Sequence, residues 1–166
     1  MTRQKGNRTE GREVTDGHHL HDEVLARADY RLTYDDSLEH LKGTNNIRCS
    51  TRSVFGRFEC LQCLLRKPWT WNSGKICVQI WFSRNPDRYM TRIHSQKCRK
   101  CESYAEPQLD TGSYATKLVD AFDLWKGLRD RRESGDDFHP TPPHDTDRCH
   151  GCLEGVCEQV TLRRRH

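Results

Sequence analysis

Three Cys-x-x-Cys pairs, Cys60/Cys63, Cys98/Cys101 and Cys149/Cys152, punctuate this chain, and the last is framed by His144 before it and Cys157 after it. A two-residue gap lets both sulfurs of a pair reach one ion from a tight turn, with backbone amides facing the thiolates. Soft thiolates and imidazole in sets of four suit Zn²⁺, whereas Mg²⁺ and Ca²⁺ take oxygen. Seven thiols and one imidazole therefore make the ligand set of two closed Zn²⁺ sites. The simplest assignment gives one ion to Cys60, Cys63, Cys98 and Cys101. The other goes to the local run His144, Cys149, Cys152 and Cys157. Spacing alone also permits interleaved pairing, with the last pair joining the first, and it offers His150 in place of His144. A histidine between Cys149 and Cys152 is expected to point away, so His144 is the expected ligand.

Composition explains why metal is needed. Only 33% of the 166 residues are hydrophobic, 31% are charged and the mean hydropathy is −0.98. Such a chain buries little apolar surface, and small domains are marginal on that term alone. Structural zinc contributes roughly 10–16 kcal/mol in finger peptides. The opening Met1-Thr2-Arg3-Gln4-Lys5-Gly6 has no apolar leader, so a reducing, cytoplasmic setting is expected and the nine cysteines point to metal before disulfides. No run approaches a membrane span, so membrane association is expected only through a partner.

The expected organisation is a polar N-terminal segment at 1–46, a metal-bearing domain at 47–158 and a basic tail at 159–166. Residues 1 to about 16 lack periodicity and are expected to be partly disordered. His18, His19 and His21 read as a solvated polar patch. Leu20, Val24, Leu25, Ala28 and Leu32 fall at helical spacing, and Gly43-Thr44-Asn45-Asn46 breaks the chain. Val54–Phe58 reads as a short strand leading into Cys60. Ile76, Val78, Ile80 and Phe82 alternate with Lys75, Cys77, Gln79 and Trp81, which predicts a strand with one core face. Asn85-Pro86-Asp87 turns the chain into a second strand over 89–96. The fold expected is α+β, a small antiparallel zinc-ribbon-like sheet with one packed C-terminal helix. That helix is predicted over 113–132, capped by Ser113, with Tyr114, Leu118, Ala121, Phe122, Trp125 and Leu128 as its apolar stripe and Ser134-Gly135 as its stop. Pro140, Pro142 and Pro143 form a stiff approach to His144. Cys77 reads as a packed or partly exposed structural thiol, and a disulfide to Cys49 is the alternative.

Charge is segregated. From Arg48 to Cys101 there are twelve Lys and Arg against Glu59 and Asp87, whereas Glu102 to Cys157 carries twelve acids against six bases. Two functional classes follow. One is a non-catalytic module that binds a protein partner, as an adaptor or chaperone. The other is a module for single-stranded RNA, in which Phe55, Phe58, Trp69, Trp71, Trp81 and Tyr89 stack on bases while the interleaved Arg and Lys meet phosphates. An enzyme is not expected. A catalytic zinc needs an open coordination position, and neither the deaminase signature of His-x-Glu followed by Pro-Cys-x-x-Cys nor His-Glu-x-x-His occurs. A redox Cys-x-x-Cys belongs on a βαβ unit and not beside a hairpin.

The ordered set Gly56-Arg57-Phe58-x-Cys60-x-x-Cys63, Trp71-x-Ser73, Gln96-x-Cys98-x-x-Cys101 and Pro143-His144 through Cys149-x-x-Cys152-x-x-Gly155-x-Cys157 resembles the three-CxxC zinc-binding domain over residues 50 to 158. That domain occurs in vertebrate receptor-transporting proteins and in many fungal proteins. The resemblance implies zinc binding, help for odorant and taste receptors on their way to the cell surface, and, for some members, RNA binding. The transporters carry a C-terminal hydrophobic anchor, and this chain ends Arg163-Arg164-Arg165-His166, which places the expectation nearer the fungal members.

Overall fold

The computed structural model describes residues 11–41, 46–64, 69–130 and 144–163. In chain order these form β1 (Val14–Asp16), a 3₁₀ turn at His18–Leu20, α1 (His21–Arg27), β2 (Thr33–Tyr34), a second 3₁₀ turn at Leu38–Leu41, β3 (Ile47–Glu59) and α2 (Leu61–Leu64). Then come β4 (Thr70–Ser83), β5 (Arg88–His94), β6 (Gln96–Lys97), β7 (Tyr104–Ala105), β8 (Pro107–Leu109), α3 (Thr111–Trp125), α4 (His150–Leu153) and α5 (Glu158–Arg163). The Gly43-Thr44-Asn45 breaker, the Ser134-Gly135 stop, the Pro140–Pro143 approach and the end of the basic tail lie outside the described residues. No helix among the described residues is long and apolar enough to cross a membrane.

The architecture is α+β. A six-stranded sheet runs β1-β5-β4-β3-β8, with β2 joined in parallel to β5 and every other pairing antiparallel. The strand expected at 54–58 is far longer. β3 pairs with β4 from Ile47 opposite Ser83 to Glu59 opposite Thr70, with a bulge between Val54 and Gly56. The N-terminal segment is not separate from this sheet. Val14–Asp16, inside the stretch expected to lack structure, pairs with Arg92–His94, and Thr33–Tyr34 pairs with Arg88–Tyr89 on the same strand. The two short strands satisfy backbone donors and acceptors that β5 would otherwise expose as an edge.

Alternation along β4 builds one core as expected. Ile76, Val78, Ile80 and Phe82 pack with Tyr114, Leu118 and Phe122 of α3 and with Val24 of α1. The opposite face is not solvated, however. Trp81 is buried with Leu38 and Met90, Gln79 accepts from His94 at 2.8 Å, and Cys77 is buried against the C-terminal cysteines. A strand predicted to have one core face has two, because elements from both ends of the chain close over its second side. The cysteine run is one of them: Thr51 donates to the Val156 carbonyl at 2.9 Å and Ser53 to Glu158 Oε2 at 3.0 Å.

Helix α3 differs at both ends from its sequence reading. Its cap is Asp110, whose Oδ1 accepts from the Ser113 amide at 2.7 Å. The Ser113 hydroxyl instead accepts from the Phe55 amide at 3.1 Å and ties the helix to β3. The helix stops at Trp125 and not near Arg132. Gly127 takes φ of 74°, its amide bonds Leu124 O at 3.2 Å, and the Leu128 amide bonds Asp123 O at 2.8 Å. This is a Schellman ending, and the left-handed position favours glycine. Leu128, counted in the apolar stripe, therefore leaves the core and is 63% exposed. Ala115 and Val119 are buried in the helix itself. The N-terminal apolar set is likewise right in part: Leu20, Val24, Ala28 and Leu32 all meet the core, although the helix covers only His21–Arg27.

Phe122 is fully buried and stacks on Phe82 at 4.8 Å between ring centroids. Phe122→Ala should lower the unfolding free energy by about 3–5 kcal/mol, the usual cost of emptying an aromatic site. Leu128→Ala should change it by less than about 0.5 kcal/mol. Denaturant titration of the zinc-loaded chain measures both, and comparable losses would place Leu128 back in the core.

Candidate metal centres

The loop between β3 and β4 and the turn between β6 and β7 meet at one end of the sheet. Cys60 follows the last residue of β3, and the Cys63 amide bonds the Cys60 carbonyl at 3.2 Å, which closes the first knuckle around α2. In the second knuckle the Cys98 amide donates to Ser103 O at 2.9 Å and the Glu102 amide to Cys98 O at 2.9 Å. Glu102 takes φ of 60° to complete that turn. The ligand atoms of Cys60, Cys63, Cys98 and Cys101 all lie within 4.8 Å of one another. Cys60 and Cys101 sulfurs are 3.4 Å apart, and those of Cys63 and Cys98 are 3.8 Å apart. Tetrahedral zinc with bonds near 2.3 Å sets neighbouring sulfurs about 3.8 Å apart, so the spacing fits the ion. Donors already face these sulfurs: Trp69 Nε1 and the Lys100 amide both point at Cys98 Sγ, at 3.2 and 3.4 Å.

The second group is His144, Cys149, Cys152 and Cys157, again with all ligand atoms within 4.8 Å. His144 Nε2 lies 3.2 Å from Cys152 Sγ and 3.7 Å from Cys157 Sγ. α4 fixes the cysteines: Leu153 N bonds Cys149 O at 3.1 Å, Gly155 N bonds Cys152 O at 3.0 Å and Cys157 N bonds Gly151 O at 3.1 Å. Gly155 carries the positive φ, 75°, that turns the chain toward Cys157. The two groups form locally, as the simplest assignment has it, and not by interleaving. His150 points away from the sulfurs. Its Nδ1 meets His94 Nδ1 at 2.9 Å, and its Nε2 faces Glu13 at 3.3 Å and Glu154 at 3.6 Å.

Strand β6 joins the two centres. Gln96 bridges to Cys149, the Lys97 amide bonds Arg148 O at 2.8 Å, and the His150 amide bonds Ser95 O at 3.0 Å. Arg148 Nη1 also reaches Cys98 O at 3.3 Å. A shift of one knuckle is therefore transmitted to the other through main-chain bonds.

Proton affinities differ within each group. Burial, reinforced by the hydrogen bond to Cys101, pushes Cys60 up to about 12. Burial also acts on Cys101, but bonds from Ser103 and from the Cys60 and Cys63 thiols outweigh it and bring it down to about 7. In the second group Cys157 is held low by hydrogen bonds from Cys149, Cys152 and Cys77, while bonding to Cys149 drives Cys152 high. One sulfur in each group thus gathers negative charge from its neighbours. A divalent cation takes over from those shared protons, and its binding releases them.

Cys77 is a buried free thiol, as expected, and geometry forbids the alternative disulfide to Cys49. Ser53, not Cys49, faces Cys77 across the β3–β4 ladder. Four residues along a strand separate the two cysteines by about 13 Å. Cys77, which the sequence left apart from any second ligand, instead packs on Cys149, Cys152 and Cys157. Its place on β4 gave the only available hint, an odd-numbered position on the face that alternation marks as polar.

The aromatics proposed for base stacking separate into two sets. Phe58, Trp81 and Tyr89 are buried. Trp69 and Trp71 stack at 4.7 Å and, with Gln96, Lys97, Arg99 and Arg148, line a cleft of about 90 Å³.

Among known proteins, a family model described as a zinc-binding domain, the three-CxxC zinc ribbon, matches residues 53–155. No curated protein and no solved structure gives a significant match. The matched stretch is more than half of the chain and holds seven of the eight clustered residues, with Cys157 just beyond it. With its two four-residue Cys/His groups, each able to hold a zinc ion, the chain belongs to the three-CxxC zinc-ribbon family of zinc-binding domains.

Proposed function

We propose that this chain is a non-catalytic zinc module that binds another protein, with both ions structural. The observation that carries the reading is the donor count. Each group brings four Cys or His donors to one point, so zinc bound there keeps no place for water or substrate. The ligands in this reading are Cys60, Cys63, Cys98 and Cys101 for one ion and His144, Cys149, Cys152 and Cys157 for the other. The Cys60/Cys63 and Cys149/Cys152 knuckles also each expose a leucine beside a cysteine, Leu61 at 60% and Leu153 at 53%. Exposed apolar side chains on rigid turns suit a protein partner better than a phosphate backbone. In its finer form the partner is a membrane receptor in transit and the chain its adaptor or chaperone, as in the receptor-transporting proteins that the motifs resemble.

Single-stranded RNA is the second reading, and one observation favours it. Trp69 and Trp71 line a half-open cleft, Lys100 Nζ lies 4.7 Å from the Trp69 ring centre, and Lys97 and Arg99 stand at its rim. Stacked indoles beside cations are the elements of a base-binding platform.

Native mass spectrometry should find two zinc ions per chain, both lost on acidification, because thiolate and imidazole ligands must be unprotonated. Cys101→Ser should bind one ion and lose several kcal/mol of stability, about half of what the metals supply. Retention of both ions by that variant would remove Cys101 from the ligand set. For the partner, Leu61→Asp and Leu153→Asp should cut recovery of bound protein from cells at least several-fold while zinc content stays at two. Recovery that RNase abolishes, with binding to single-stranded RNA that falls steeply as salt rises, would decide for the second reading.

A further inference from the structure

The second centre has one more sulfur beside it than a zinc ion needs. Cys77 lies in the middle of β4, 1% exposed, in one buried cluster with Cys149, Cys152 and Cys157. It presses directly on the knuckle backbone: a side chain at Gly151 would come within 2.5 Å of the Cys77 sulfur, so only glycine fits there. Cys77 stands outside the four atoms that lie within 4.8 Å of one another, a neighbour of the centre and not one of its corners.

His144 is the corner with the least support. The three cysteines are fixed by the bonded turns of α4 and the loop after it. The imidazole meets them through Nε2, while its Nδ1 is buried and has no hydrogen-bond partner among the described residues. Metal-bound histidines ordinarily donate that second ring N–H to a carboxylate, carbonyl or water, which fixes the ring and strengthens the bond. Without such an acceptor the imidazole is the ligand that leaves at least cost.

We propose that Cys77 is a reserve ligand of the second centre: it stays beside the four corners while His144 is in place, and its sulfur takes the fourth position when His144 departs. In the exchange the Cys77 S–H bond breaks, its sulfur fills the place the imidazole vacates, and the released imidazole carries the proton away. No electron moves. The ligand set changes from three thiolates and an imidazole to four thiolates, and the formal charge of the loaded centre goes from −1 to −2. The device keeps the β4 face and the C-terminal knuckle joined through metal while the His144 imidazole exchanges.

The proposal rests on the zinc reading above, and four proteins separate the two. Native mass spectrometry of zinc-loaded wild type, Cys77→Ser, His144→Ala and the double variant should count two, two, two and one ion per chain. In the cobalt-loaded proteins, His144→Ala should raise the sulfur-to-metal charge-transfer absorption by about one part in seven, as seven coordinating thiolates become eight. Fewer than two ions in wild type would refute the zinc reading itself. With wild type at two, any of three results overturns the reserve ligand: His144→Ala losing the ion as fully as the double variant, His144→Ala keeping it with no added charge transfer, or Cys77→Ser alone losing it.

Discussion

Four sulfurs crowded to within 4.8 Å cannot all carry charge without a counter-charge. Two thiolates 3.8 Å apart repel by about 4 kcal/mol at an effective dielectric of 20, and each group contains several such pairs. Protons held by the thiols relieve part of this: hydrogen bonds bring Cys101 down to about 7 while burial pushes Cys60 up to about 12. A divalent cation offsets two of those charges and adds coordinate bonds. The loop between β3 and β4 and the turn between β6 and β7 converge on four cysteines, so a metal bound there would close one on the other. β6 then passes that closure to the C-terminal knuckle, whose contacts with Thr51 and Ser53 cover the second face of the sheet.

The ligand set was the most legible part of the chain because spacing is a covalent property. Two residues between cysteines fix a knuckle whatever surrounds it, and the H-x₄-C-x₂-C-x₄-C run closes on itself without help from distant strands. The choice of His144 over His150 followed from the same local geometry, since α4 turns His150 toward His94. Cys77 was illegible for the opposite reason. Its neighbours at the second centre lie more than seventy positions away in sequence, and no local pattern encodes that approach.

Strand lengths and faces were legible only where hydrophobicity marks them. Ile47–Ser53 of β3 alternates weakly, so its pairing with β4 is set by the ladder and by what lies above it. Alternation in β4 correctly assigned Ile76, Val78, Ile80 and Phe82, but marked Cys77, Gln79 and Trp81 as outward. Each of those three is buried by a partner of its own kind: thiols on the thiol, an imidazole on the amide, Leu38 and Met90 on the indole. Polar residues at strand positions signal solvent only when nothing polar is available to satisfy them inside. At the end of α3 a single backbone preference, glycine at a positive φ, overrode an apolar stripe that would have run one turn further.

The segregated charges take on a different meaning once folded. Arg88 pairs with Asp35 at 2.9 Å, Arg92 with Glu39, Arg99 with Asp145 at 3.1 Å and Arg148 with Glu102. Three arginines of the basic middle, Arg88, Arg92 and Arg99, are thus matched against acids from segments before and after it. Exposed pairs of this sort contribute about 0–1 kcal/mol each, so their weight lies less in stability than in field. A face whose arginines are already paired presents little net potential to a polyanion, and counterion release, which drives most nucleic-acid affinity, falls with every phosphate contact that is lost. Beside the stacked indoles a lysine stands at the small Trp69–Trp71 cleft, whereas the exposed leucines stand on the Cys60/Cys63 and Cys149/Cys152 knuckles. That balance supports a protein partner held by shape and apolar contact over a nucleic acid held by charge.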